Sequence, residues 1–526
     1  MRFFNTAGPI KPELHYCVPP LQRFDLDEVL LLIEQQKYFV LHAPRQVGKT
    51  TFLLALMDYL NQRGTYHALY FNVEIAQTAR EDVNRGISAI LSMLSSMARD
   101  RLQDTFPADI RLDVLRNHEG DAALYELLSR WAEVSDKPLV LFIDEIDALV
   151  GDTLIAVLRQ LRAGYANRPT SFPQSIILCG VRDVRDYRIH SSREKAVITG
   201  GSAFNVKAES MRLGDFDRAE MEQLYHQHTV ETGQNFTPDT LDLMWELTQG
   251  QPWLVNALGY EVCFKMKEGR DRTQPITTEM VARAKENLIL RRETHLDQLV
   301  DKLKEPRVHR VIAPILAGDL DPEQLPADDV QYVADLGLIT TKGQIRIANK
   351  IYQEVIPREL VYTTQLTITH QPEWYIAADG RLEMPKLLAA FQQFFREHSA
   401  SWLERFDYKE AGPQLLLQAF LQRIVNGGGQ VTREYGLGRG RTDLLLLWPW
   451  GEQQQQRIVI ETKLRRGQVA TTIQQGVAQT WRYMDSCAAD EGHLVIFDRD
   501  QTKAWTEKIF ARTQEHQGRT IQVWGM

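Results

Sequence analysis

The feature that most constrains this chain is a short loop between an apolar strand and an amphipathic helix. The stretch YFVLHAPRQVGKTTFLLALMDYL predicts a strand over residues 38–41, then a loop, then a helix that begins near Lys49. Gly48, Lys49 and Thr50 give the G-K-[ST] ending of a P-loop, whose backbone N–H groups bind phosphate while the hydroxyl reaches Mg²⁺. A chance Gly-Lys-Thr in an ordinary loop is the alternative.

The first glycine of that motif is replaced here by alanine, which tolerates unusual backbone angles less well. The order of strand, loop and helix is still the one that the motif requires. We therefore predict that a nucleotide is bound by the loop and the start of the helix, through Ala43, Pro44, Arg45, Gln46, Val47, Gly48, Lys49, Thr50 and Thr51.

A second apolar strand ends in two acids. The run KPLVLFIDEIDALV is continuously apolar, as in a strand buried on both faces of a parallel sheet, up to Asp144 and Glu145. We predict that Thr50 and Asp144 hold Mg²⁺ and that Glu145 orients or activates the attacking water, as phosphoryl transfer to water demands. Nucleotide binding without turnover is the alternative to hydrolysis.

Two arginines follow a third apolar run, SIILCGVRD. Arg182 and Arg185 would lie just beyond the end of this strand, where they could sense a γ-phosphate. Each could instead pair with Asp183 or Asp186 on the surface. The sequence leaves both interpretations open.

Composition limits the kind of protein that carries these motifs. No stretch approaches the roughly 20 apolar residues of a bilayer span, and the N-terminal residues lack the apolar core of a secretion signal. The net charge of −8 argues against nucleic-acid binding by the whole chain. Four cysteines without C-x-x-C spacing favour a reducing compartment over structural zinc. We expect a soluble, cytoplasmic protein with no membrane partner.

Helical patterns dominate the middle of the chain. Residues 211–292 predict a helical lid, and residues 293–365 predict helices followed by two short strands around the turn Thr341–Gly343. Two helices and a β-wing are the winged-helix arrangement. Its candidate recognition helix, DDVQYVADLG, is acidic, so we expect an intramolecular role in pressing the lid closed rather than DNA binding.

The last part of the chain carries a second group of charged residues. Strands predicted over 442–448 and 457–464 are joined across a Trp-Pro-Trp-Gly turn region as an antiparallel hairpin. In such a hairpin Asp443 comes opposite Glu461, and Lys463 points to the same face as Glu461. The pattern predicts that two carboxylates and one ammonium converge.

Such a cluster suits a hard cation with oxygen ligands. Asp443 and Glu461 would hold Mg²⁺ or Mn²⁺ against a scissile phosphate, and Lys463 would position or activate the attacking water. Three surface charges in an ion pair are the alternative. Downstream, the helix TTIQQGVAQTWRYMD places Gln479 and Tyr483 one turn apart.

The motifs of the first half carry a family resemblance. The series APRQVGKTT, VLFIDEIDAL and LTQGQPWLVNAL resembles the AAA-like branch of P-loop ATPases close to the STAND signalling class. The resemblance implies ATP and Mg²⁺ as cofactors and a G-x-P motif that touches the nucleotide, matched here by Gly250 and Pro252. A proline in the first turn of a helix explains Pro252 equally well. The opening FNTAGPIKPELHYCVPPLQR resembles the segment that packs near the nucleotide in that family.

Residues 412–498 resemble the PD-(D/E)XK nuclease family, in which a helix, three strands, a helix and another strand surround a D…E-x-K site. Asp443, Glu461 and Lys463 match its three central positions. Gln479 matches a helix glutamine that is common in Holliday-junction-resolvase-like members. The resemblance therefore implies a metal-dependent phosphodiesterase.

One position of that family pattern is not matched. Members often carry a glutamate on the first helix, whereas here Glu410 precedes the predicted helix and Gln418 lies inside it. The departure concerns a second metal site and leaves the three central residues unchanged.

Together these observations predict an α/β protein with a P-loop parallel-sheet core, a helical lid and a winged helix, followed by an α/β restriction-endonuclease-like domain. The predicted domains are an N-terminal segment packing on the ATPase (1–35), the ATPase core (36–210), the lid (211–292), the winged helix (293–365) and the nuclease-like domain (366–526).

We expect a switch that binds and hydrolyses ATP and controls a Mg²⁺-dependent nuclease, with DNA a better substrate than RNA. Defence against phage or mobile DNA is the setting suggested by similar ATPase–nuclease fusions. The alternative is a regulatory ATPase whose last domain binds nucleic acid or protein without cleavage. A homo-oligomer is expected because many such ATPases complete their sites with a neighbour's arginine.

Overall fold

The computed structural model describes the chain except at residues 184–185, 192–195, 292–293, 318–321, 361–374, 404–411, 426–429, 438–439, 451–453, 466, 499 and 501. Some side chains inside helices and strands are also outside the described set, among them those of residues 432–437 and 440–443. Arg185 and Glu410 lie outside the described residues. The chain divides into two compact units, Met1–His295 with Gln331–Ile339, and Leu296–Val330 with Thr340–Met526.

The first unit is built on a parallel sheet. Its strands are β1 (Tyr38–His42), β2 (His67–Asn72), β3 (Leu139–Asp144), β4 (Ser175–Gly180), β5 (Arg188–Ser191), β6 (Ala196–Thr199) and β7 (Lys207–Arg212). In the described part of the unit, five of them form the sheet in the order β2-β3-β4-β1-β7, with neighbours parallel. The strands β5 and β6 pair as a separate antiparallel ribbon.

Helices cover both faces of this sheet. In chain order they are α1 (Leu26–Glu34), α2 (Lys49–Arg63), α3 (Val83–Met97), α4 (Phe106–Asn117), α5 (Gly120–Val134), α6 (Gly151–Ala163) and α7 (Gly200–Ala203). Alternate residues of β3 face different layers, because Leu141 packs in the cluster with α3, α5 and α6 whereas Phe142 packs with α1 and α2. β1, β3 and β4 are buried throughout, which explains their continuously apolar sequences.

Further helices complete the first unit. They are α8 (Arg218–Thr232), α9 (Pro238–Thr248), α10 (Pro252–Tyr260) and α11 (Thr278–Leu290). α8 begins with a capping box between Asp217 and Glu220, and α9 and α10 each begin with proline, which is suited to the first helical turn. These helices occupy the stretch predicted to be a helical lid.

The chain from residue 294 to 360 is helical with two short strands. It contains α12 (Thr294–Leu303), α13 (Pro306–Ala317), α14 (Ala327–Asp335), β8 (Ile339–Thr340), β9 (Arg346–Ile347) and α15 (Lys350–Leu360). The strands flank the predicted turn at Thr341–Gly343. The boundary between the two units crosses this stretch, since residues 331–339 belong to the first unit.

The second unit contains a mixed sheet. Its remaining elements are α16 (Met384–Leu403), α17 (Gly412–Val425), β10 (Gln430–Leu437), β11 (Gly440–Trp450), β12 (Gln454–Leu464), α18 (Val469–Ser486), β13 (Glu491–Phe497), α19 (Trp505–Lys508), β14 (Phe510–His516) and β15 (Arg519–Gly525). Six strands of the described residues form the sheet, in the order β10-β11-β12-β13-β15-β14. From α17 to β13 the chain follows the predicted order of a helix, three strands, a helix and a strand.

The strand predicted over 442–448 continues for two more residues, so the turn region predicted at Trp-Pro-Trp-Gly is wrong for Pro449 and Trp450. β11 continues through Trp448, Pro449 and Trp450, which pair with Gln456, Gln455 and Gln454 of β12. Within the described residues, β10 pairs with β11 as far as Leu447.

No helix in the described residues is long and apolar enough to cross a membrane.

Candidate functional site

The P-loop lies between β1 and α2, where the motif predicted it. Gln46 and Gly48 have positive φ values of 58° and 106°, so the loop turns sharply before the helix begins at Lys49. The ammonium of Lys49 is buried and donates to the backbone oxygens of Ala43 at 2.9 Å and Pro44 at 3.0 Å. Lys49 thus lies folded against its own loop, with its charge bound to neutral carbonyl groups.

The P-loop and the acidic end of β3 meet at Asp144. β4 lies between β1 and β3 in the sheet, and the carboxyl ends of these parallel strands lie along the same edge. The Thr50 hydroxyl donates to Asp144 Oδ2 at 2.8 Å, and the Tyr70 hydroxyl donates to the same oxygen at 2.9 Å. The backbone N–H of Glu145 donates to Asp144 Oδ1 at 2.9 Å.

Glu145 has a backbone conformation that is uncommon for a residue with a side chain. Its φ of 57° lies in the left-handed region, directly after the end of β3. Burial raises the pKa of its carboxyl group, and the negative charges of Asp147 and Asp144 raise it further, against the opposing charges of Lys49 and Arg45. A carboxyl group with a raised pKa is suited to accept a proton.

Thr50 and Asp144 provide the donor set for a magnesium site. Hydroxyl and carboxylate oxygens are the hard ligands that Mg²⁺ prefers, and they are brought within 2.8 Å of each other beside the P-loop. The residues present therefore fit the predicted ion.

Arg23 was not predicted from the sequence as part of this site. Its guanidinium donates to the backbone oxygens of Val47 and Gly214, and it lies 4.7 Å from the ring centroid of Phe216. A Cβ atom at Gly48 would come within 2.9 Å of Arg23 Nη1. Arg23 therefore stabilises the loop through the Val47 oxygen, and glycine at position 48 leaves room for the Arg23 guanidinium.

The N-terminal segment contacts both the P-loop helix and α10. The N–H of Ile10 donates to Thr51 Oγ1 at 3.1 Å, and the indole N–H of Trp253 donates to the Thr6 oxygen at 3.0 Å. Pro252 is buried at the first position of α10. Its helix-starting role is visible in the structure, and its predicted nucleotide contact remains a prediction.

Arg182 lies at the end of β4 and faces residues 332–335, which belong to the same unit. Arg182 Nε is 3.7 Å from Asp335 Oδ2, and its guanidinium lies 4.7 Å from the ring centroid of Tyr332. Arg212 donates to the Ala334 oxygen at 3.0 Å. Burial raises the pKa of Asp335, an effect that Gln331 and the two arginines oppose. Among the contacts of the described residues, Arg182 thus pairs with Asp335.

The same segment touches the P-loop itself. Gly337, with a φ of 78°, packs so closely on Pro44 that a Cβ atom would lie 2.9 Å from the proline ring. The end of α14 and the residues after it therefore contact both the phosphate loop and the arginine beyond β4.

In the second unit, Glu461 and Lys463 lie on one face of β12. Lys463 Nζ donates to Glu461 Oε1 at 2.6 Å; the Glu461 side chain is fully buried and that of Lys463 is 30% exposed. Leu444 of β11 pairs with Ile460 of β12. Asp443 belongs to β11, one residue before Leu444, and its side chain lies outside the described residues.

Gln479 lies on α18, the helix that connects the parallel strands β12 and β13. Its amide donates to the Tyr483 hydroxyl at 2.9 Å, as their spacing of one turn predicted. On α17, Gln418 is buried, and its Oε1 atom has no hydrogen-bond partner among the described residues. The described side chains contain no group of three His, Cys, Asp or Glu residues that could hold a metal ion.

Comparison with protein families identifies the first part of the chain. Residues 27–356, more than half of the sequence, match the model of the AAA-like domain. The chain belongs to the AAA-like domain family. The parallel sheet and the P-loop of this AAA-like protein are those of a P-loop ATPase, which confirms the coarser part of the sequence prediction.

Solved structures with similar folds share little sequence with this AAA-like protein. The Walker-type ATPase PABY2304 of Pyrococcus abyssi is 15% identical, with 67% of this chain and 99% of that chain covered and a TM-score of 0.45. Cdc6p from Pyrobaculum aerophilum is 13% identical, with 66% and 94% covered and a TM-score of 0.36. The RuvB Holliday junction branch migration motor of Thermotoga maritima is 12% identical, with 63% and 93% covered and a TM-score of 0.33.

Comparison with curated proteins gives no match. The family match ends at residue 356, well before Asp443, Glu461 and Lys463 in the chain. The nuclease assignment of the later residues therefore remains a prediction.

Proposed function

We propose that this protein is a switch that binds and hydrolyses ATP and thereby controls a Mg²⁺-dependent nuclease in its C-terminal part. The observation that carries the ATPase half is the contact between Thr50 of the P-loop and Asp144 at the end of β3. It joins the two motifs that phosphoryl transfer requires. DNA is the proposed substrate of the nuclease, and defence against phage or mobile DNA is the proposed setting.

At the nucleotide site each residue has a separate task. The P-loop N–H groups and the start of α2 bind the phosphates, and Lys49 exchanges its two carbonyl acceptors for phosphate oxygens. Thr50 and Asp144 hold Mg²⁺, which when bound neutralises charge on the phosphate oxygens. Glu145 accepts a proton from the attacking water, a role that its raised pKa supports.

The contacts of Arg182 support the switch. Arg182 has a buried carboxylate partner, Asp335, on the segment that also packs on Pro44 through Gly337. A γ-phosphate would compete with Asp335 for this arginine, so nucleotide binding would bias the position of the segment. Residues 340–526 follow that segment directly in the chain, which gives nucleotide state a route to the nuclease-like part.

Two observations support the proposed nuclease site. Lys463 and Glu461 lie on one face of β12 and are hydrogen-bonded to each other, and Gln479 lies on the helix that follows this strand. Asp443 and Glu461 would hold Mg²⁺ or Mn²⁺, and Lys463 would position the attacking water. To position the water, the Lys463 ammonium has to weaken or break its hydrogen bond with Glu461.

A second candidate function is a regulatory ATPase whose last domain binds nucleic acid or protein without cutting it. The direct bond between Lys463 and Glu461 favours it, because this ion pair balances the charge of the buried Glu461 carboxylate without a metal ion. Metal dependence separates the two: binding by a non-cutting domain tolerates EDTA, whereas cleavage does not.

The ATP site is tested by titrating the full chain with a fluorescent ATP analogue. Lys49→Ala should weaken affinity about 10- to 100-fold, since it removes charged hydrogen bonds of about 1.5–3 kcal/mol. The matched control is Lys267→Ala, which removes an exposed lysine of the same unit. Unchanged affinity in Lys49→Ala would refute the proposed site.

The nuclease is tested by incubating the full chain with Mg²⁺, ATP and supercoiled, linear and single-stranded DNA, with RNA in parallel. Cleavage should be lost in Lys463→Ala and in EDTA. Lys503→Ala is the matched control, because Lys503 is also a lysine of this unit paired with a carboxylate, that of Asp498. If the unmodified chain leaves every substrate intact, the non-cutting alternative is preferred.

A further inference from the structure

Tyr70 is a buried residue of the first unit that none of the sequence motifs includes. It lies on β2, which pairs in parallel with β3 so that Tyr70 is beside Phe142 and Asn72 is beside Asp144. Its ring packs in the same cluster as Phe142, on the face covered by α2. From there its hydroxyl reaches Asp144 Oδ2 at 2.9 Å. Tyr70 therefore connects a strand without a recognised motif to the predicted magnesium ligand.

The carboxylate of Asp144 is held by several donors. Its Oδ2 accepts from Thr50 at 2.8 Å and from Tyr70, and its Oδ1 accepts from the Glu145 N–H at 2.9 Å. Donors on both oxygens restrict rotation of the carboxylate. Asp144 is completely buried, and hydrogen bonds are stronger in such low-dielectric surroundings.

The orientation of Asp144 in turn determines what Thr50 can do. A hydroxyl group has one proton and two lone pairs. Because the proton of Thr50 is donated to Asp144, both lone pairs of Thr50 Oγ1 remain available to a cation. If Asp144 rotated, the hydroxyl of Thr50 would lose the acceptor that fixes its direction.

We propose that Tyr70 is a positioning residue of the magnesium site, which acts through Asp144 on Thr50. The inference rests on the proposed ATP site and extends it to β2. Neighbours that hold a metal ligand in place commonly change metal affinity when they are removed, although they do not touch the ion. The proposed role is therefore in the affinity for Mg²⁺ and not in the affinity for the nucleotide itself.

The test is Tyr70→Phe, which removes the hydroxyl and keeps the ring. In the full chain, the measured quantity is the Mg²⁺ concentration that gives half of the Mg²⁺-dependent gain in affinity for a fluorescent ATP analogue. We expect this concentration to rise about tenfold in Tyr70→Phe. Affinity measured in EDTA should stay within about twofold of the unmodified chain, since the P-loop contacts remain.

Tyr38→Phe is the matched control. Tyr38 is also a buried tyrosine of this sheet, but its hydroxyl donates to the Pro173 backbone oxygen at 3.1 Å and takes no part in the Asp144 contacts. Its removal should leave the Mg²⁺ dependence unchanged. Melting temperatures of both variants show whether a loss of stability, common to any buried Tyr→Phe change, accounts for the result.

The outcomes separate this inference from the proposed function. If the unmodified chain binds the analogue and Tyr70→Phe has the same Mg²⁺ dependence as Tyr38→Phe, Tyr70 has only a structural role and the inference is wrong. Equal losses of affinity with Mg²⁺ and in EDTA would also overturn it. A chain that binds no analogue at any Mg²⁺ concentration would refute the proposed ATP site, and the inference with it.

Discussion

The two units each place a lysine near a carboxylate that is predicted to hold Mg²⁺, but the lysines have different hydrogen-bond acceptors. In the first unit, Lys49 donates to two backbone carbonyls, and Asp144 is held by hydroxyl and N–H donors. In the second unit, Lys463 donates directly to Glu461. These hydrogen bonds of Lys49 are thus to neutral carbonyl groups, whereas Lys463 is hydrogen-bonded to a carboxylate. The comparison indicates that Lys49 can exchange neutral acceptors for phosphate oxygens, whereas Lys463 has to give up an ion pair before it can interact with a phosphate.

The largest expected effect tests the readiness of the first site. Glu145→Gln keeps the size of the side chain but cannot accept a proton, so ATP hydrolysis should fall at least about 100-fold while nucleotide affinity is retained. A phosphate-release assay measures the rate of hydrolysis, and titration with a fluorescent ATP analogue measures nucleotide affinity. Glu133→Gln, an exposed glutamate of the same unit, is the control. If the rate is unchanged, another group activates the water.

The pH dependence of hydrolysis sharpens the same point. Burial raises the pKa of Glu145, so the protonated form persists above the ordinary glutamate value of about 4.3. The rate should fall as pH decreases through this raised pKa, by up to about tenfold per pH unit. The free energy of unfolding changes with pH in the opposite direction. The stabilisation from the raised pKa of Glu145 is present below the pKa of this group in the unfolded chain, and it is lost as pH rises through its pKa in the folded protein.

A rate profile measured at saturating ATP would test this expectation. Nucleotide affinity measured over the same pH range is the control, because it does not require the Glu145 carboxylate. An acid limb at or below the pH expected for an exposed glutamate would contradict the assignment of Glu145 as the base.

Stability compares the two lysines directly. Lys463→Ala leaves the fully buried Glu461 without this cation, which we expect to cost about 1–3 kcal/mol, allowing for the partial exposure of Lys463. Lys49→Ala should cost less, because it removes bonds only to carbonyls. Urea unfolding, followed by a probe in each unit, would measure both. Equal costs would mean that the contrast between the two sites has no energetic basis.

The smallest expected effect concerns Arg182. Asp335→Asn removes the charge that faces this arginine and keeps the shape of the side chain. Affinity for a non-hydrolysable ATP analogue should increase about two- to fivefold, equivalent to less than about 1 kcal/mol, whereas affinity for ADP should stay constant. Asp328→Asn, on the exposed start of α14, is the control. Equal changes for both nucleotides would exclude competition with the γ-phosphate.

The sequence predicted those parts of the fold whose residues carry a clear chemical pattern. The continuously apolar runs before Lys49 and Asp144 are strands buried on both faces, and Glu461 and Lys463 share a face because side chains alternate along a strand. The family match covers the first of these sites.

Other elements had weaker signals. β7, with the sequence KAESMR, is an edge strand whose mostly polar residues give little indication of a strand. The hairpin of β14 and β15 was missed, although Gln517 and Gly518 at its turn, with φ of 47° and 76°, form a two-residue loop in which glycine is a typical signal. Arg23 and Tyr70 reach the nucleotide site only through tertiary contacts, so no local pattern could have identified them.

The N-terminal segment has a mechanical consequence for the proposed switch. The Thr6 oxygen accepts from Trp253 of α10, and the Ile10 N–H donates to Thr51 of α2, so two nearby residues of the N-terminal segment connect α10 to the start of α2. If α10 moved away from α2 in the proposed switch, this connecting segment would be stretched or one of its two hydrogen bonds would break. The length of the segment between Thr6 and Ile10 would therefore limit how far α10 could move in the proposed switch.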